Sequence, residues 1–245
     1  MQVRNSQGVL SAPYIIVSAP AAKINSTPVT TVDAAKFGTV VAPEAIVAAF
    51  GSKLATQSVG ATSLPLPTLL DGTSVYVDGV AAGLLYVSGQ QVNYVIPSGT
   101  SLGPADVVIV ARDGTVSRGK VNVAGSIPAI FTGKSGGAGA PAGLVSRDGQ
   151  SFDILLSNAD GAPVPIDAGN YVALFGTGMR FASTPMKITI GGVEIDPLFF
   201  GPQGSFEALD QVNLQIPQSL AGKGDVDLVL TLDSKTSNTV KLRIR

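Results

Sequence analysis

An internal repeat is the feature that most restricts what this chain can fold into. Val47-Ala-Ala-Phe-Gly51 returns as Val172-Ala-Leu-Phe-Gly176, and Val75-Tyr-Val-Asp-Gly-Val80 as Ile188-Thr-Ile-Gly-Gly-Val193. Gln91-Val-Asn-Tyr-Val-Ile-Pro97 returns as Gln211-Val-Asn-Leu-Gln-Ile-Pro217, Asp106-Val-Val-Ile as Asp227-Leu-Val-Leu, and Lys120-Val-Asn-Val123 as Lys241-Leu-Arg-Ile244. The Val75 block recurs 113 residues later and the Gln91 block 120 residues later. The second copy therefore carries a seven-residue insertion around Gly201-Pro-Gln-Gly-Ser-Phe206, which is expected to project as a loop. Blocks returning in the same order mean one supersecondary unit used twice.

Each unit reads as short strands. Val212, Leu214 and Ile216 alternate with Gln211, Asn213 and Gln215, and Val226, Leu228, Leu230 and Leu232 repeat the pattern. A period of two gives one apolar and one polar face. Asp71-Gly72, Asp78-Gly79, Asp113-Gly114, Asp148-Gly149 and Asp160-Gly161 punctuate the strands, since Gly accepts the positive φ of tight hairpin turns. After Pro43 a strand is expected from Ala45 onward, and no stretch shows a convincing amphipathic helix. The fold class is all-β: two tandem antiparallel β-sandwiches of about seven strands each, plus an N-terminal strand or hairpin.

Three segments follow: residues 1–28, module 1 at 29–124, and a linker with module 2 at 125–245. Gly133-Lys-Ser-Gly-Gly-Ala-Gly-Ala-Pro141 is expected to be a flexible exposed loop. Gly143-Leu-Val-Ser and Ser151-Phe-Asp-Ile-Leu-Leu156 read as a hairpin that opens the second module. Gln7 to Val17 aligns with Asp113 to Val123 at a constant register, like the last hairpin of an upstream module. Where copy one has outward-facing Lys120 and Asn122, this segment has Tyr14 and Ile16. Tyr14, Ile15, Ile16 and Val17 are thus apolar on both faces, the pattern of a strand covered on both sides, and form a candidate subunit-interaction strand. Three placements stay open: packing on its own module 1, completing an upstream module, or adding to a neighbouring subunit's sheet.

Composition removes several classes of chemistry. The 245 residues include no His and no Cys, so a Ser-His-Asp triad, thiolate chemistry, disulfides and zinc sites built on these residues are excluded. A formal charge of −1 without a Lys/Arg cluster argues against nucleic acid. No apolar run reaches a membrane-spanning length. Met1 to Ser6 lacks the charged and apolar regions of a signal peptide, so either one has been removed or these residues belong to a longer chain. No cofactor and no metal is expected.

The remaining polar clusters favour structural roles. Asp225 and Asp227 share a strand face rather than flanking a cleft, as a glycosidase pair would. Asn158-Ala-Asp-Gly161 and Asp148-Gly149 are too sparse for calcium. The Gln-Val-Asn pairs, Gln91/Asn93 and Gln211/Asn213, read either as a ligand-contacting row or as amides satisfying loop or edge backbone. Lys120, Lys187 and Lys241 point outward, which disfavours isopeptide crosslinks. With no Trp, 5 Tyr and 9 Phe, a flat sugar platform is poorly supplied, and Phe199, Phe200 and Phe206 beside the insertion are the candidate ligand contacts.

Ala42 to Gly51, Leu64-Pro-Leu-Pro67, Gln91 to Pro97, Pro128-Ala-Ile-Phe131, Leu209 to Pro217 and Ser237 to Arg245 together resemble the IPT/TIG immunoglobulin-like family. More narrowly they are similar to a C-terminal module of acidobacterial secreted proteins. The resemblance covers roughly residues 29–245. It implies an extracellular, cell-surface, non-catalytic module at the end of a larger secreted chain, with no catalytic residues to carry over. The function expected is a structural or adhesive protein that self-associates, in its sharpest form a surface filament joined by N-terminal strand addition. The alternative is a polysaccharide-binding or substrate-anchoring appendage.

Overall fold

A computed structural model describes residues 26–134, 136–152 and 154–245. The segment Tyr14, Ile15, Ile16 and Val17 lies outside the described residues. Among those residues the chain is all-β, with one short 3-10 turn at Gln218–Leu220 and no α-helix.

Module 1 contains β1 (Ser26–Pro28), β2 (Thr30–Asp33), β3 (Val40–Val41), β4 (Ile46–Phe50), β5 (Val59–Gly60), β6 (Ser74–Val77), β7 (Val80–Ala81), β8 (Leu84–Val87), β9 (Gln91–Val95), β10 (Gly103–Val110) and β11 (Val116–Val123). One sheet runs β2-β4-β9-β8-β5, and the other runs β1-β11-β10-β6-β7 with β3 also on β11. Module 2 contains β12 (Ala129–Ile130), β13 (Gly143–Ser146), β14 (Ile154–Leu155), β15 (Pro165–Ile166), β16 (Tyr171–Thr177), β17 (Lys187–Ile190), β18 (Val193–Ile195), β19 (Phe199–Pro202), β20 (Asp210–Gln215), β21 (Gly224–Leu232), β22 (Lys235–Thr236) and β23 (Val240–Ile244). Its sheets are β14-β13-β16-β20-β19, with β12 on β16, and β15-β23-β21-β17-β18, with β22 on β21.

The strands form where the alternation places them. Val212 and Leu214 of β20 are fully buried, while Gln211 and Asn213 are half-exposed. Each module closes over its own core, Val47, Val92, Tyr94 and Val107 in module 1 and Val172, Leu214, Ile188 and Leu230 in module 2. In the β6–β7 turn both Asp78 and Gly79 have positive φ, the geometry that matches strand twist in a two-residue hairpin. The expected hairpin at the start of module 2 is present as β13 paired with β14.

Four expectations need correction. The sandwiches are not purely antiparallel: β1 and β3 run parallel to β11, and β15 runs parallel to β23. This arises because the N-terminal part of each module contributes to both sheets, β1 and β3 on one and β2 on the other in module 1, β12 on one and β15 on the other in module 2, and in module 1 the crossing needs Gly119. An added Cβ there would lie inside the van der Waals radius of the Val29 carbonyl oxygen. Second, the boundary at residue 28 falls inside module 1, since Ser26–Pro28 pairs with Val116–Arg118. Third, the glycine run ending at Pro141 is held down, because Asn238 Nδ2 donates to Gly137 O (2.7 Å) and the Lys241 N–H to Gly139 O (2.8 Å). Fourth, the insertion does not stand free. Gly201 and Pro202 are the end of β19, and the following loop folds onto module 1 with Ala208 buried.

The registers explain the insertion. Val87 pairs with Val92 in module 1, and Phe200 pairs with Val212 in module 2. The same hairpin is lengthened in module 2 by two further pairs, Gly201 with Gln211 and Pro202 with Asp210, and by its loop.

Candidate functional site: the module junction

The inserted loop, the start of β4 and the β16–β17 turn meet between the modules. Ile46 and Val95 of module 1 pack with Ala208 of the loop, and Leu66, Leu85, Phe131 and Leu209 close around them. This apolar cluster is separate from both module cores. Around it sit polar ties across the junction. The Ile46 N–H donates to the buried Thr177 Oγ1 (2.8 Å), and the Leu66 N–H donates to Glu207 Oε2 (2.8 Å). Lys36 Nζ donates to the carbonyls of Pro128 (3.0 Å) and Thr236 (3.2 Å), and its burial lowers the amine below the ordinary lysine range.

Arg180 is the centre of these ties. Its Nε donates to Asp210 Oδ1 (2.8 Å), its Nη1 to Glu44 Oε2 (2.9 Å) and its Nη2 to the Leu209 carbonyl (3.0 Å). The Met179 N–H donates to the other Asp210 oxygen (2.8 Å). The Asp210 side chain is 0% exposed and that of Arg180 11%, so this pair lies in a low dielectric. Burial pushes the Asp210 carboxyl up, and the Met179 N–H and Arg180 oppose that shift. Glu44, from the other module, is 30% exposed and completes a triad with two carboxylates on one guanidinium. A second anchor fixes the linker. Asp233 accepts from Ser126 Oγ (2.6 Å), Ser183 Oγ and Thr184 Oγ1, and these donors hold its carboxyl well below the usual carboxylate range.

Beside the junction the surface is concave and apolar. A cleft of about 550 Å³ is lined by Glu44, Leu66, Val80, Ile96, Arg180 and Glu207. Two clefts of about 500 Å³ continue it, one between Pro65, Ser205 and Glu207, the other between Ala61, Ser63 and Leu85. Both share Leu64 and Phe206 as walls.

The sequence candidates separate cleanly. Phe206 lines the groove and is 65% exposed. Phe199 is exposed on edge strand β19, away from these clefts, and Phe200 turns inward onto the module 2 core. In each Gln-Val-Asn pair the Gln Nε2 donates to the Asn Oδ1, 2.8 Å in both modules, so these amides satisfy each other across one strand face rather than loop backbone. The Asp225/Asp227 pair is taken up by Arg243 and Lys241 on the neighbouring strand, and Asp106 by Lys120 in the same way. Lys187 is exposed and paired with Asp196 and Glu194. Glu44, Leu64, Arg180 and Asp210 were missed. A signal existed for Asp210: at the register of the Gln-Val-Asn blocks it stands where copy one has Gln90, a charge that the repeat does not share.

No family model matches the chain, and no curated protein matches it. Among solved structures, SGBP-B of the Bacteroides ovatus mixed-linkage glucan utilization locus, in complex with a mixed-linkage heptasaccharide, is 16% identical over 84% of this chain and 44% of its own, with a TM-score of 0.36. The plexin A4 full extracellular region is 11% identical over 98% of this chain and 21% of its own, TM-score 0.29. A titin Ig tandem is 11% identical over 84% and 90%, TM-score 0.25. The chain thus spans less than half the length of the first two. Its tandem immunoglobulin-like architecture rests on the sheet pairings themselves.

Proposed function

We propose that this chain is a non-catalytic, extracellular structural or adhesive unit of the IPT/TIG type, in which two β-sandwiches are locked into one rigid body. The carrying observation is the use made of the insertion. Its seven residues lengthen one hairpin so that Ala208, Leu209 and Glu207 reach module 1, and the triad on Arg180 seals the contact. A stiff junction transmits force and spacing, which suits a surface protein. β11 runs toward the junction, and β1, parallel to it, enters from the opposite pole of module 1. β23 ends at Ile244, and the next residue, Arg245, pairs with Asp167 at the far pole of module 2. A heterologous contact repeated from copy to copy generates a filament unless a ring closes. Among the described residues no three His/Cys/Asp/Glu side chains gather as for a metal, and no helix is long and apolar enough to cross a membrane. Negative-stain microscopy of the purified chain tests the reading: regular linear polymers support it, and monodisperse single particles at all concentrations contradict the filament form.

A second reading is a polysaccharide-binding appendage, favoured by the open groove with the Phe206 ring beside the Glu207 carboxylate. Affinity gels cast with soluble β-glucan or xylan decide it. Retardation that is lost in Phe206→Ala supports this reading, and unretarded migration in every gel removes it.

A further inference from the structure

The groove beside the junction carries more than a contact between modules. Leu64 is 56% exposed and Phe206 65%, and both line the two adjoining clefts. Such contiguous apolar exposure on a soluble surface marks an interaction site. The groove is also acidic at its rim. Glu44 and Glu207 line it, and the only cation lining these clefts among the described residues, Arg180, is already bonded to Asp210, Glu44 and the Leu209 carbonyl. The occupant that fits is an apolar strand flanked by positive charge and free of carboxylates.

Residues 1–25 have that chemistry. They contain Arg4 and Lys23, no Asp and no Glu, and the uninterrupted apolar run Tyr14-Ile-Ile-Val17. We propose that the groove receives the Tyr14–Val17 stretch of a second copy of this chain; the inference rests on the self-association reading above and names its contact. Entry from the same chain is disfavoured by reach. β1 starts at the pole away from the groove and runs toward it, so an occupant from the same chain has to reach back from that pole. Doubling back past eight-residue β11 means covering about 25 Å at roughly 3.3 Å per residue. The nine steps from Val17 to Ser26 span at most about 30 Å, and only when fully extended, with the reversal still to be made. A second copy has no such restriction, and repeating the contact builds the head-to-tail polymer.

The test uses the full chain in sedimentation velocity over a wide concentration range. Wild type is expected to form open-ended oligomers. Ile15→Asp removes the donor and Phe206→Asp removes the acceptor, with Leu64→Asp as a second acceptor variant. Leu64 and Phe206 lie outside both module cores, and circular dichroism checks that each variant is folded. Each alone is expected to associate at least about tenfold more weakly than wild type, a change of about 1.4 kcal/mol. An equal mixture of Ile15→Asp and Phe206→Asp retains one intact donor and one intact acceptor, so it is expected to form a 1:1 dimer and nothing larger. Wild-type polymers with variants that polymerise equally well overturn the groove assignment and leave the self-association reading standing. A mixture that stays monomeric also overturns the assignment. A wild type that is monomeric throughout overturns both.

Discussion

Replacing Arg180 by Met is the sharpest single perturbation of the junction. The guanidinium makes three hydrogen bonds, and its side chain is 11% exposed. Met keeps much of the aliphatic volume and removes the charge. Asp210, 0% exposed, is then left with the Met179 N–H alone. Removing one partner of a buried ion pair typically costs about 3–5 kcal/mol. The lower end applies here, about 3 kcal/mol, because one backbone donor remains and Glu44 can turn to water. Burial already raises the Asp210 carboxyl, and loss of Arg180 raises it further. The sign follows: the variant loses most stability at neutral pH, where the orphaned carboxylate must stay charged, and less as pH falls and it takes up a proton. Urea denaturation followed by circular dichroism at pH 7 and pH 4.5 measures both. Adding Asp210→Asn in the Arg180→Met background removes the buried charge and is expected to recover more than half of the loss. A loss below about 1 kcal/mol, the range of exposed ion pairs, with no pH dependence, refutes the claim that this pair is a buried clamp.

Three further outcomes follow from the same geometry. Tyr94→Phe leaves Thr31 Oγ1 buried without its 3.0 Å partner, so module 1 is expected to lose about 1–2 kcal/mol in urea titrations. Gly119→Ala pushes a methyl into the Val29 carbonyl, and a loss of about 2 kcal/mol with early amide exchange across β1 is expected. The Asp148 carboxyl, drawn down to about 2 by the N–H groups of Ser151 and Gln150 and by Ser146, contributes stability that is present above the unfolded value near 4 and lost as pH falls toward 2; amide protection of Gln150 and Ser151 by NMR is expected to drop over that window in wild type and to be flat in Asp148→Asn.

Strand content and the two modules were legible because period-two alternation and Asp-Gly turns are local signals. The seven-residue register shift located the insertion correctly. Its role was not legible, because whether a loop projects or docks depends on what lies opposite it. Here that is Ile46 and Val95, apolar residues on the outer side of β4 and β9 that alternation alone assigns to solvent. Phe206 was singled out from composition, while its partner Leu64 lies about 140 residues away in sequence and meets it only through the junction. Arg180 and Asp210 were hidden for a related reason. A buried ion pair is two isolated charges in the sequence, and only the comparison of Asp210 with Gln90 marks one of them as peculiar to the second module. The glycine run near Gly137 misled in the opposite direction: its composition suggests freedom, yet its backbone accepts from Asn238 Nδ2 and the Lys241 N–H.

Rigid docking of the two modules is tested most directly by residual dipolar couplings in a weakly aligning medium. Amide couplings from β4, β9 and β10 define one alignment tensor, and those from β16, β20 and β21 define another. If the Arg180 triad and the loop around Ala208 hold the modules as one body, the two tensors agree in magnitude and orientation. Tensors that differ in magnitude, with one module more weakly ordered than the other, would contradict it.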